Sequence, residues 1–185
     1  VTIAGGASIA STLSVGGAAN FLSTVTVNGI AKFNSDVSVS GNLNVIGSVT
    51  IAGGASIAST LSVGGAANFL STVTVNGIAK FNSDVSVSGN LNVIGSVTIA
   101  GGASIASTLS VGGAANFLST VTVNGIAKFN SDVSVSGNLN VIGSVTIAGG
   151  ASIASTLSVG GAANFLSTVT VNGIAKFNSD VSVSG

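Results

Sequence analysis

The sequence repeats itself every 48 residues without a single substitution. Val1, Val49 and Val97 open identical blocks, and the fourth copy is cut short. Because self-similarity at a fixed period is typical of repeat architectures, we predict one continuous array over residues 1–185 and no independent domains. The blocks are 1–48, 49–96, 97–144 and the truncated 145–185.

Each block divides into four lines of twelve residues in which the odd columns carry the apolar residues. The first line reads VTIAGGASIAST, and the other three follow the same alternation. A period of two predicts β-strands with one buried face, whereas a helix needs a spacing of three and four. The fifth column holds only glycine, so we predict turns there, with positive φ or close contact between coils. These turn residues are Gly5, Gly17, Gly29 and Gly41.

Twelve residues bury too little apolar surface to offset the conformational entropy of ordering their own backbone. The units must therefore stack, and the sequence predicts an all-β solenoid, or β-helix, with 12-residue coils. About fifteen such coils would form a rod about 70 Å long. Stacking places Phe21 and Phe33 in one column along the axis. The predicted core contains Val15, Phe21, Val27 and Phe33.

Three large apolar residues, Leu22, Ile30 and Ile46, occupy even columns that should face solvent. Either turn geometry brings them into the core, or they are contacts between chains, since large exposed apolar patches mark association surfaces. Neither end of the array carries a capping segment, which also favours further strand pairing. We therefore expect a multi-chain fibre or filament, with a parallel homotrimer as the main hypothesis and a single-chain solenoid as the alternative.

The composition argues against catalysis and against most ligands. The chain has no Cys, His or Tyr, and it also lacks Glu and Arg. We expect no enzyme activity, no catalytic residue, no cofactor and no metal. Four lysines balance four acidic residues, so we expect no nucleic-acid partner. No apolar run is long enough for a membrane span, and Lys32 with Asp36 is interpreted as a solvated pair.

Several phrases resemble the β-helical repeat shafts of phage and giant-virus tail fibres. They are Gly41-Asn-Leu-Asn-Val45, Gly47-Ser-Val-Thr-Ile51 and Val27-Asn-Gly-Ile-Ala31. The resemblance implies a homotrimeric, elongated spacer that is extracellular or on the virion surface and carries a receptor-binding tip. We expect that tip to lie outside this segment. The function that follows is that of a structural shaft.

Other interpretations remain open. Half-lines such as Ala7-Ser8-Ile9 resemble hexapeptide left-handed β-helices, although those acyltransferases use a catalytic His and their 18-residue coil would stack Val1 on Ala19. Thr12-x-Ser14 and Thr24-x-Thr26 resemble the rows of ice-binding solenoids with 12-residue coils. The identity of the blocks is typical of recent duplication or of a designed or idealised sequence.

Overall fold

The protein is a three-sided β-solenoid of ten coils, which confirms the prediction of an all-β solenoid. The computed structural model describes residues 1–185, which form strands β1 to β31 and no helix. After the two-residue β1, every strand has three residues and every turn has three. The structural unit is therefore a hexapeptide, with one strand and one turn.

The strands belong to three parallel sheets. The first sheet contains β1 (Thr2–Ile3), β4 (Ala19–Phe21), β7 (Val37–Val39), β10 (Ala55–Ile57), β13 (Val73–Val75), β16 (Leu91–Val93), β19 (Leu109–Val111), β22 (Ala127–Phe129), β25 (Val145–Ile147), β28 (Ala163–Phe165) and β31 (Val181–Val183). The second contains β2 (Ala7–Ile9), β5 (Val25–Val27), β8 (Leu43–Val45), β11 (Leu61–Val63), β14 (Ala79–Phe81), β17 (Val97–Ile99), β20 (Ala115–Phe117), β23 (Val133–Val135), β26 (Ala151–Ile153) and β29 (Val169–Val171). The third contains β3 (Leu13–Val15), β6 (Ala31–Phe33), β9 (Val49–Ile51), β12 (Ala67–Phe69), β15 (Val85–Val87), β18 (Ala103–Ile105), β21 (Val121–Val123), β24 (Leu139–Val141), β27 (Leu157–Val159) and β30 (Ala175–Phe177).

The coil contains 18 residues, so the predicted 12-residue coil is wrong. Ser38 pairs with Ser56 in the first sheet, and this spacing holds throughout the three sheets. Both coil lengths are multiples of the hexapeptide, so the alternation alone did not distinguish them. No residue has positive φ, not even glycine, whereas tight reversals of a chain commonly need it. Each turn instead bends the chain through a third of a circuit, and ten coils give a rod about 48 Å long.

Inward side chains form one continuous core in which every buried residue is hydrophobic. Val15, Phe21, Val27 and Phe33 all lie in it, at 6% exposure or less. Strands with a phenylalanine begin with alanine, and strands that begin with leucine end in valine. This compensation keeps the inward volumes of the strands similar, so that strands of different sequence stack on one another at close packing.

The phenylalanines meet across the interior instead of stacking in one column. Phe21 lies on the first sheet and Phe33 on the third, with ring centroids 6.3 Å apart in an edge-to-face arrangement. Phe21 pairs in register with Val39, so the predicted axial column of Phe21 and Phe33 is wrong. The 18-residue coil places two hexapeptides between stacked residues, and this spacing interleaves the rings with β-branched side chains.

Polar side chains at the corners add hydrogen bonds between coils. The backbone N–H of Gly54 donates to Oδ1 of Asp36 at 2.7 Å, and that of Thr60 donates to Oδ1 of Asn42 at 3.1 Å. Backbone groups pair between coils along the strands and turns as well. The corners are therefore held by the same stacking that builds the sheets.

Candidate interaction surfaces

The 48-residue block is not a whole number of 18-residue coils, so equivalent residues of successive blocks lie on different faces of the rod. One block contains eight hexapeptides, so a given residue moves to another sheet in the next block. Lys32 lies on the third sheet, Lys80 on the second and Lys128 on the first. Three blocks and eight coils both span 144 residues. All three faces therefore carry the same order of residues, offset along the axis.

The three apolar residues predicted as contacts between chains are exposed. Leu22 and Ile30 are each 52% exposed and Ile46 is 65% exposed. The interpretation that turn geometry brings them into the core is therefore wrong. Leu22 lies at the corner between the first and second sheets, and Ile30 and Ile46 lie in adjacent coils at the corner between the second and third. All three are available for contact with another molecule.

These apolar side chains wind around the rod and do not form a straight stripe. After the Ile30 and Ile46 corner, Leu70 lies between the third and first sheets. Ile78 and Ile94 then return to the corner between the first and second sheets. The path makes one circuit in about four coils, or about 19 Å. A straight neighbouring rod would therefore meet these side chains only at intervals.

The predicted turn glycines lie at the corners, where successive coils approach closely. A Cβ on Gly29 would lie 2.6 Å from the carbonyl oxygen of Ser11, and one on Gly41 would lie 2.6 Å from the backbone nitrogen of Thr24. Gly5 and Gly17 are in the first coil, and a Cβ there would meet nothing within 4 Å. Close contact between coils, and not positive φ, is what the structure shows at Gly29 and Gly41.

Three equivalent shallow grooves, here called the Asp grooves, lie on the three faces. Each follows one aspartate: Asp36 on the first sheet, Asp84 on the third and Asp132 on the second. The grooves around Asp132 and Asp84 have volumes of about 530 and 460 Å³. The small side chains of the alanine and glycine residues that line each groove leave it open, so each groove could hold a side chain from another molecule.

Oxygen atoms line the Asp grooves. In the first groove the carboxylate of Asp36 stands beside the hydroxyl-bearing Ser38, Ser56 and Thr74 and the amide-bearing Asn20. Oδ1 of Asp36 accepts the Gly54 N–H, while the aspartate side chain remains exposed. No lysine lines any of the three grooves. This chemistry suits a ligand that donates several hydrogen bonds and carries positive charge.

Lys32 and Asp36 do not contact each other as an ion pair within 4.0 Å. Lys32 is the outward residue of β6 on the third sheet, while Asp36 lies beyond the next corner, beside β7. Both side chains are exposed. Each charge is therefore open to an external partner.

No three acidic, His or Cys side chains cluster together in the structure. Nor does it contain an apolar helix of membrane-spanning length. The outward residues of the first sheet begin with Thr2, Asn20, Ser38 and Ser56. The 18-residue coil thus gives this face a mixed polar row and no continuous threonine row, so no observation here favours ice binding.

The Asp grooves were not predicted from the sequence. Their signal is the succession Ala18, Asp36, Gly54, with small side chains one coil below and above the carboxylate. That succession appears only when the sequence is written in lines of eighteen residues, and it is not visible in lines of twelve.

No protein-family model, curated protein or solved structure matches this chain.

Proposed function

We propose that this chain is a structural shaft segment, a rigid spacer whose length is set by the number of blocks. The observation that supports this most strongly is the uninterrupted core, which is buried from Val15 to Phe165 and keeps the same three-sheet cross-section throughout. A continuous core with backbone hydrogen bonds parallel to the axis resists bending, and each added hexapeptide extends it without changing its width. The function proposed is mechanical.

The rest of the proposal concerns chemistry, location and partners. The segment performs no catalysis and needs no cofactor, because its residue types offer no general acid–base pair beyond lone aspartates and lysines. The resemblance to fibre shafts supports a location outside the cell or on a virion, with a receptor-binding tip on another segment. The partner proposed is the chain itself, as a homotrimer or filament. Because the core is closed within one chain, copies would associate through their outer surfaces.

The spacer proposal predicts how length depends on block number. One block makes two and two-thirds coils, so each added block should lengthen the rod by about 13 Å. Small-angle X-ray scattering on arrays with one, two and three extra blocks should show this increment at constant cross-section. The matched control adds 48 residues of a flexible glycine and serine linker. A cross-section that grows with block number, or a length that does not, would refute the spacer.

A further inference from the structure

We propose that the Asp grooves bind lysine side chains of a second copy of this chain, so that rods associate side by side and antiparallel. The inference builds on the proposed shaft function and names the surface through which shafts would contact one another in a filament. A two-fold, antiparallel contact is an alternative to the parallel homotrimer and not a part of it. The partner is a second copy because this chain carries the complementary group at the same frequency as the groove. Each block contains one lysine and one aspartate and no other charged residue.

The groove supplies the acceptor half of the contact. Asp36 keeps an exposed carboxylate while its Oδ1 is fixed by the Gly54 N–H at 2.7 Å. Ser38, Ser56 and Thr74 add hydroxyl oxygens within the same groove. A lysine ammonium has three N–H donors and no acceptor, so a carboxylate surrounded by hydroxyls satisfies all of them.

The lysine supplies the donor half. Lys32, Lys80 and Lys128 are the central residues of β6, β14 and β22. Each points away from the core, is exposed, and lies on a different face. The long, flexible stem of each lysine places its ammonium group beyond the flat strand surface, so the ammonium group can reach a groove on the facing rod.

The positions of the charges favour antiparallel over parallel neighbours. On the third sheet, Lys32 lies in β6 and the groove residue Asp84 adjoins β15, three strands further along the sheet. Asp84 precedes β15 by one residue at the corner, about three coils or 14 Å beyond Lys32 along the axis. A two-fold axis midway between them sets each lysine opposite the other rod's aspartate. Parallel rods in register would oppose lysine to lysine.

Apolar side chains flank the groove and add burial to the contact. Leu22 follows Asn20 by two residues at one edge, and Leu70 precedes Thr72 by two residues at the other. Both leucines are 52% exposed. A rod docked over the first groove would cover them, and the equivalent leucines flank the other two grooves because leucine and aspartate both recur every 48 residues.

The test uses variants that neutralise one partner at a time in every block. In the first variant Lys32, Lys80, Lys128 and Lys176 become glutamine. In the second Asp36, Asp84, Asp132 and Asp180 become asparagine, which keeps an Oδ1 acceptor for the next coil. Sedimentation velocity should show that the unmodified protein associates at low salt and dissociates at high salt, since the Debye length falls to about 3 Å at 1 M. Each variant alone should associate at least tenfold more weakly, and an equimolar mixture should associate again.

A relocation variant separates docking from simple charge attraction. Exchanging lysine and asparagine at Lys32 and Asn34, and at the equivalent positions of the other blocks, conserves composition and net charge but moves the lysine to a corner. This variant should remain as weakly associated as the glutamine variant. The proposal would be overturned if either neutralised variant or the relocated variant associated as strongly as the unmodified protein. It would also be overturned if the unmodified protein were monomeric at low salt, or if the mixture of the two neutralised variants stayed monomeric. The length increment per block would stand in each of these cases, so failure of docking is distinguishable from failure of the spacer.

Discussion

Replacing Phe69 by alanine should lower the free energy of unfolding by about 3–5 kcal/mol, the usual range for removing a buried aromatic side chain. Phe69 is fully buried, with Ile51 below it and Val87 above it in the third sheet. Its ring also meets Phe81 edge to face, with centroids 6.3 Å apart. The rigid coils on either side prevent collapse into the space, so most of the cavity should persist.

The neighbouring Leu70 supplies the control, because it is 52% exposed. Leu70→Ala should change stability by no more than about 0.5 kcal/mol, as is usual for surface sites. Urea denaturation gives the global values, and amide hydrogen exchange should locate the loss of protection in the coils next to Phe69. In a double-mutant cycle, Phe69→Ala and Phe81→Ala should couple by about 0.5–1.5 kcal/mol. Equal effects at positions 69 and 70 would contradict the assignment of the core.

Adjacent glycines at one corner should respond to alanine in opposite directions. A Cβ on Gly53 would lie 2.5 Å from the backbone nitrogen of Asp36, so Gly53→Ala must separate two coils and should cost about 1–3 kcal/mol. A Cβ on Gly54 would approach nothing closer than Oδ1 of Asp36 at 3.6 Å. Gly54→Ala should therefore be neutral or stabilise by up to about 1 kcal/mol, because alanine restricts the unfolded chain.

The two glycine variants are compared by thermal and urea unfolding of otherwise identical proteins. Neither glycine has positive φ, so backbone strain does not separate them and the difference reports the contact between coils. An added Cβ at Gly53 meets backbone atoms only if Gly53 stacks on Asp36, which is 17 residues earlier in the chain and one coil below. If Gly53→Ala is as stable as Gly54→Ala, the coils do not stack in this way.

Alternation with a period of two was sufficient to predict the strands and the β-solenoid, because one buried face per strand is all that alternation requires. It assigned Val15, Phe21, Val27 and Phe33 to inward positions. It did not determine the coil length, since Ala19–Phe21 and Val37–Val39 belong to hexapeptides that fit two-sided and three-sided coils alike. The 12-residue lines gave the odd columns a uniform character, whereas in the structure Ala19 pairs with Val37 because the inward volumes are balanced within each strand.

The candidate site was predictable only in part. Leu22, Ile30 and Ile46 could be recognised as outward apolar residues from their even columns, but their arrangement around three corners depends on the coil length. The Asp grooves depend on it entirely, since Asp36 and Gly54 become neighbours only in an 18-residue coil. A wrong coil length therefore leaves the assignment of inward residues unchanged, but it gives a wrong arrangement of the surface residues.

The coil length itself is tested most directly by pairs of nitroxide spin labels. The chain has no cysteine, so labels can be attached specifically at Ser38 and Ser56, or at Ser38 and Thr50. Ser38 and Ser56 are register partners in adjacent strands, about 5 Å apart at the backbone, while Thr50 lies on the third sheet. With unlabelled protein in excess to suppress contacts between molecules, the 38/56 pair should show strong dipolar broadening and the 38/50 pair should not. Strong broadening for 38/50 together with its absence for 38/56 would contradict the three-sided solenoid.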